Sequence, residues 1–174
     1  MPHERPDFDD YFMGLAIAVR TRANCLGSKV GAVIVKGHRV LATGYNGTPS
    51  KMKNCLDGGC ERCANPERYE SGQGYDVCIC VHAEQNALLA AARFGISVEG
   101  GTIYSTMRPC FGCTKELLQA GVERVVFIHD WQHPDPYHQT QYELIQARFA
   151  GINQLQIEDP DAEWAVPKKK KKKV

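Results

Sequence analysis

Nowhere in the chain does an apolar run approach the roughly 20 residues that span a membrane, so a membrane-spanning helix is excluded from the reading. The first ten residues, Met1–Asp10, are polar and acidic. They lack the basic start and apolar stretch of a secretory signal, and the sequence reads as soluble and intracellular. Internal repeats are missing too. So is a broadly basic body: the formal net charge is +1, yet Lys168–Lys173 supply six positive charges, and setting those six aside leaves −5. A mildly acidic body argues against a nucleic-acid-binding groove.

What is present begins with length and sulfur. The 174 residues suit one compact domain, about 100–200 residues being usual. Eight cysteines (25, 55, 60, 63, 78, 80, 110 and 113) occur without a secretory signal. In a reducing compartment CxxC pairs bind metal or do redox work more often than they form disulfides.

Apolar spacing predicts a helix over Phe8–Ala23, capped by Asp9 or Asp10. Val30–Val35 and Val40–Gly44 read as a hairpin turning at Gly37-His38. Helices over 81–94, 110–120 and 136–150 then alternate with strands over 102–106, 125–128 and 152–157. This order implies an α/β fold, one mixed sheet with helices packed on it, in a single domain over 8–157. Residues 50–80 form a Cys-rich insertion, too long for an ordinary loop unless a metal clips it. Residues 158–174 read as an unpacked, Lys-rich tail.

Two short motifs carry the chemistry. His82-Ala83-Glu84 opens one helix, and Pro109-Cys110-Phe111-Gly112-Cys113 opens the next. Together they fit H-x-E…P-C-x-x-C, the zinc deaminase signature. A catalytic zinc takes three protein ligands and keeps a fourth position for water, whose pKa falls from about 15.7 toward about 7. His82, Cys110 and Cys113 supply one imidazole and two thiolates, the latter favoured at a helix N-terminus. Glu84, two residues from a ligand, can shuttle protons from the water to the ring nitrogen and the departing amine. Either motif alone is weak; the ordered pair is strong. Asn46, beside Gly47, reads on turn chemistry alone as a residue tolerating positive φ.

Six cysteines remain, and spacing cannot choose four of them. They read as a structural zinc stapling the long loop or as buried free thiols, with metal favoured by the paired spacing. His129, His133 and His138 surround Trp131 and read as surface residues or as contacts to a substrate phosphate. The lysine block reads as a nuclear-import or polyanion-binding signal or as a solvated end, and charge runs favour the last.

These pieces resemble the deoxycytidylate deaminases of the cytidine deaminase-like superfamily. The likeness runs from about Tyr11 to Gly151, through Thr21-Arg22-Ala23-Asn24-Cys25, VGAVIV at 30–35, GYNGTP at 44–49, NCLDGGCERC at 54–63, CICVHAE at 78–84 and PCFGC at 109–113. HxE and PCxxC belong to the whole superfamily; GYNGTP and the Cys-rich loop point to the deoxycytidylate branch.

The resemblance implies a three-layer α-β-α fold on a sheet of about five strands, and hydrolysis of dCMP to dUMP and ammonia, supplying thymidylate synthesis. It implies that Asn46 contacts the sugar, reversing the turn-only reading, and that Ala83, Thr106 and Arg108 line the substrate pocket. It further implies a homohexamer activated by dCTP and inhibited by dTTP, magnesium with the triphosphate, and an effector site at Tyr45, Asn46 and Gly47. For the second zinc it favours Cys25, Cys55, Cys60 and Cys78, with Cys63 and Cys80 as alternates. Cytoplasmic placement follows, with nuclear import resting on the lysine block. Competing readings are a deaminase of single-stranded DNA or RNA and a non-catalytic zinc scaffold. The acidic body opposes the first and the presence of Glu84 opposes the second.

Overall fold

A computed structural model describes residues 4–70 and 73–165. The lysine block therefore lies outside the described residues. The chain opens with α1 (Phe8–Arg20), capped by the Asp7 carboxylate, which accepts from Asp10 N at 2.8 Å. The expected caps, Asp9 and Asp10, instead fall in its first turn. There, negative charge suits the helix dipole. A hairpin follows, β1 (Gly31–Lys36) and β2 (Arg39–Tyr45). Its two-residue turn has positive φ at both Gly37 and His38, the geometry that matches strand twist.

The described residues between 46 and 82 are irregular apart from short turns and α2 (Glu61–Ala64). Then come α3 (Ala83–Arg93), β3 (Thr102–Met107), α4 (Phe111–Gln119), β4 (Arg124–His129), α5 (Pro136–Gln146), β5 (Gly151–Gln154) and α6 (Ala162–Ala165). The strand order is β2-β1-β3-β4-β5. β1 pairs antiparallel with β2 and β3, whereas β3–β4 and β4–β5 are parallel, giving the expected mixed five-stranded sheet.

The inner strands are buried on both faces, as near-continuous apolar runs require. Ala32, Ile34, Ile103, Val125 and Phe127 face a core with Ala83, Ala87 and Ala91 of α3 and Leu117 of α4. Val33, Val35, Tyr104 and Val126 face Phe12, Met13 and Ala16 of α1. The hairpin backbone touches a helix on each side because two positions lack a Cβ. A Cβ on Gly31 would lie 2.2 Å from Ala16 O, and one on Gly44 2.1 Å from Ala83 O.

The segment after β5 corrects the expected tail. Asp159 binds Arg20 of α1 and His129 of β4, Lys29 N donates to Trp164 O, and Ala165 is fully buried. Packing thus continues at least to residue 165. No helix of the described residues is long and apolar enough to cross a membrane.

Candidate active site

The carboxyl ends of β3 and β4 meet the first turns of α3 and α4, the usual place for a site in an open α/β sheet. His82 is the N-cap of α3, and Gln85 Oε1 accepts from its backbone N at 3.0 Å. Cys110 is the N-cap of α4, with Cys113 in that helix's first turn. The preceding carbonyl, Pro109 O, is fixed by the buried Tyr142 hydroxyl and by Gln146 Nε2 at 3.1 Å.

These turns bring three donors together. His82 Nδ1 stands 3.3 Å from Cys110 Sγ and 3.4 Å from Cys113 Sγ. A tetrahedral zinc with bonds of about 2.0–2.1 Å to nitrogen and 2.3 Å to sulfur needs N···S edges of about 3.6 Å. The donor set and spacing fit zinc. The two thiols are unlike: hydrogen bonding from Cys113 and then the His82 imidazolium pull Cys110 down to about 4 against the cost of burial, while the contact with Cys110 and burial push Cys113 up. The Cys110 thiolate in turn raises His82 to about 9.

Glu84 is 4% exposed and reaches the same point. Ser105 Oγ of β3 donates to its Oε1 at 2.8 Å, and Oε2 lies 3.6 Å from Cys113 Sγ. Burial pushes the Glu84 carboxyl up, favouring the protonated form more than in water. Ser105 carries no sequence signal beyond its place in a strand, and the motifs did not single it out.

A cavity of about 530 Å³ opens here, with His82, Ala83, Glu84, Cys110, Asn46 and Arg108 on its wall. Thr106 is not: it is fully buried, and its hydroxyl accepts from Gly31 N at 3.2 Å, tying β3 to β1. The Asn46 side chain accepts from Val30 N and donates to Ser28 O, both at 2.8 Å, so it holds the loop before β1 while facing the cavity. Arg108 is held by Gln146 Oε1 at 2.7 Å and Asp130 Oδ1 at 3.1 Å.

Tyr45 and Gly47 flank Asn46 but do not line the cavity. Gly47 exchanges backbone hydrogen bonds with Val81, which ties the GYNG turn to the approach to His82. None of His129, His133 and His138 lines it either, whereas Trp131 and Gln132 do. His129 Nε2 is 2.5 Å from Asp159, and His133 stacks on His138.

The Cys-rich insertion also lines the cavity, through Arg62, Cys63, Tyr75, Cys78 and Cys80. The Arg62 guanidinium lies over Tyr75 at 5.3 Å, and its buried Nε has no hydrogen-bond partner among the described residues. Arg62 lies within the NCLDGGCERC run at 54–63, which singled out only its cysteines, and Tyr75 sits in no motif.

The six cysteines do come together, but the quartet of 25, 55, 60 and 78 is not one of the groups. Those whose sulfurs all lie within 4.8 Å of one another are Cys25, Cys55, Cys63 and Cys80, and Cys60, Cys63, Cys78 and Cys80. The reason is α2. Its one turn carries Cys63 inward beside Cys25 at 3.8 Å and beside Cys80 at 4.0 Å. Crowding and burial split the thiols: hydrogen bonds from Cys63 and Cys80 hold Cys25 down to about 3, while burial pushes Cys55 up to about 12.

Comparison with known proteins agrees with this geometry. Residues 6–129 match the family model of the cytidine and deoxycytidylate deaminase zinc-binding region. Deoxycytidylate deaminase of Saccharomyces cerevisiae is 41% identical over 75% of the chain, and that of Mycobacterium phage D29 is 44% identical over 71% of the chain and 95% of the phage protein. The chain spans less than half the length of the yeast relatives it matches. Among solved structures, dCMP deaminase from cyanophage S-TIM5 in complex with dCMP and dUMP superposes with a TM-score of 0.66 at 29% identity, covering 88% of this chain and all of that one. The donor triad, the carboxylate beside it and these similarities lead to one assignment: the chain belongs to the cytidine and deoxycytidylate deaminase zinc-binding family.

Proposed function

We propose that the protein hydrolyses dCMP to dUMP and ammonia. The observation that carries this reading is the buried Glu84 carboxylate, held by Ser105 and aimed at the point shared by His82, Cys110 and Cys113. Zinc, when bound there, supplies the Lewis acidity that makes a water a competent nucleophile at neutral pH. The chain's own groups do the rest. Ser105 fixes Oε1, which leaves Oε2 to take a proton from the water as it attacks C4. Glu84 then hands protons to the ring nitrogen and to the leaving amine, so that water and cytosine become uracil and ammonia. Burial raises Glu84 toward the operating pH, where a group that both accepts and donates works best.

The substrate class rests on the cavity. Two guanidinium groups, Arg62 and Arg108, line it together with Glu84, and Arg108 is paired with Asp130 at 3.1 Å. A base placed at Glu84 leaves the phosphate for the guanidinium groups of Arg62 and Arg108, which line the same cavity. The comparisons name dCMP as the ligand of a relative of the same fold.

The reading also includes self-association, dCTP and dTTP as opposing effectors with magnesium, and nuclear import through the lysine block. Self-association is supported by Leu89, Phe94 and Phe111, exposed by 60%, 74% and 43% on or beside α3 and α4. The others follow from family resemblance and the run at 168–173.

The test is ammonia release by zinc-loaded protein on dCMP, dCTP, cytidine and cytosine-containing single-stranded DNA, each beside Glu84→Ala. Turnover of dCMP that vanishes in the variant supports the proposal. Turnover of DNA without dCMP overturns it.

A further inference from the structure

The six cysteines outside the active site are arranged for more than one ion. They come from four places: Cys25 after α1, Cys55 in a 3-10 turn, Cys60 and Cys63 at α2, and Cys78 and Cys80 before His82. Tetrahedral Zn–S bonds of about 2.3 Å give S···S edges of about 3.8 Å. The edges here are 3.8 Å for Cys25–Cys63, 3.7 Å for Cys60–Cys78, 3.7 Å for Cys63–Cys78 and 4.0 Å for Cys63–Cys80. All lie far beyond the roughly 2.05 Å of a disulfide.

The two four-sulfur groups share two members, Cys63 and Cys80. The geometry points to a binuclear Zn₂Cys₆ cluster in which Cys63 and Cys80 each bridge two zinc ions, Cys25 and Cys55 complete one tetrahedron, and Cys60 and Cys78 complete the other. Six sulfurs then fill all eight coordination positions. A single zinc in the first group would leave Cys60, which is fully buried, and Cys78 as neighbouring thiols without a cation. Two dications on six thiolates carry the same formal charge as one dication on four, so the second ion adds no net charge to the buried site. Leu26 N already donates to Cys55 Sγ at 3.3 Å, the kind of backbone contact that stabilises a ligating thiolate.

The cluster also bears on the cavity. Arg62 lies next to the bridging Cys63, and Tyr75 stands between α2 and Cys78 in the chain, so the staple holds the guanidinium wall in place.

Metal analysis of the zinc-replete full chain tests this without relying on turnover. Three zinc ions per chain are expected, falling to two in Cys110→Ser/Cys113→Ser. Two in the unaltered protein overturns the proposal. Replacement with cadmium-113 supplies a second readout that needs no variant: two resonances should split one another through the shared sulfurs, and a third should stand alone. Cluster resonances without mutual splitting overturn the bridging assignment.

Discussion

Arg20 and Asp159, 139 residues apart, form a two-point ion pair at 2.6 and 2.5 Å, with side chains 0% and 3% exposed. Removing one partner of such a pair strands a buried charge, at a cost of about 3–5 kcal/mol. Asp159→Asn should therefore lower the urea-unfolding free energy by that amount. A change under about 0.5 kcal/mol would show that the segment after β5 contributes nothing to the folded body.

The same carboxyl sets an acid limit. Burial alone would raise its pKa, but hydrogen bonds from Arg20 and His129 outweigh burial and hold it well below the ordinary carboxylate range. Its stabilisation is thus fully present above the unfolded value, about pH 3.9, and fades as pH falls toward the lower folded value. The stability gap between wild type and Asp159→Asn should shrink steadily below about pH 4. A gap that stays constant from pH 7 to pH 2 contradicts this assignment.

Ser105→Ala removes the single side-chain hydrogen bond on Glu84 Oε1 while leaving the zinc donors untouched. Hydrogen bonds to charged groups contribute about 1.5–3 kcal/mol, and about 1.4 kcal/mol is tenfold in rate. The expected outcome is a fall in kcat of about 10–100-fold at unchanged zinc content and KM. A loss of zinc in proportion to activity would make Ser105 a structural residue only.

Arg62→Ala should raise KM for dCMP by about 10–100-fold, the worth of a charge-assisted hydrogen bond to phosphate, with little change in kcat. Deoxycytidine, which lacks the phosphate, should be handled equally by both proteins, and Arg62→Lys should recover part of the loss. Equal losses on both substrates would point to a collapsed wall.

Gly44→Ala tests the contact that seats α3. The added Cβ would meet Ala83 O at 2.1 Å and Ala87 N at 2.4 Å, so the helix must move. Overpacking of this kind costs about 1–3 kcal/mol. Because Ala83 lies between His82 and Glu84, zinc retention and kcat should both fall, measurable by metal analysis after dialysis. Wild-type zinc content together with wild-type kcat would mean that α3 tolerates the shift.

The grouping of His82, Glu84, Cys110 and Cys113 was legible because it is local. His82 and Glu84 share one helical turn, Cys110 and Cys113 another, and the two-residue hairpin turn is written in Gly37-His38. The grouping of the other six cysteines was not legible. They depend on how a loop without periodicity folds back on itself, and one turn at α2 decides that Cys63 faces inward. Thr106 was misplaced because strand alternation sets its direction, and a neighbouring Pro-Cys motif carries no information about that. The segment around Asp159 looked unpacked because it is polar. Its anchor is a charge partner on α1, which no local pattern encodes.

Both turns that carry the candidate zinc donors are helix beginnings. α3 has 11 residues, so the loop that follows it starts about 16 Å from the chemistry. Length changes at residues 95–97 therefore act at the far end of α3. Only the exposed residues 95–97 offer a place to attach a second module, because the buried Val98 and the hydrogen bonds of Gly100 and Gly101 tie the rest of the segment to the sheet.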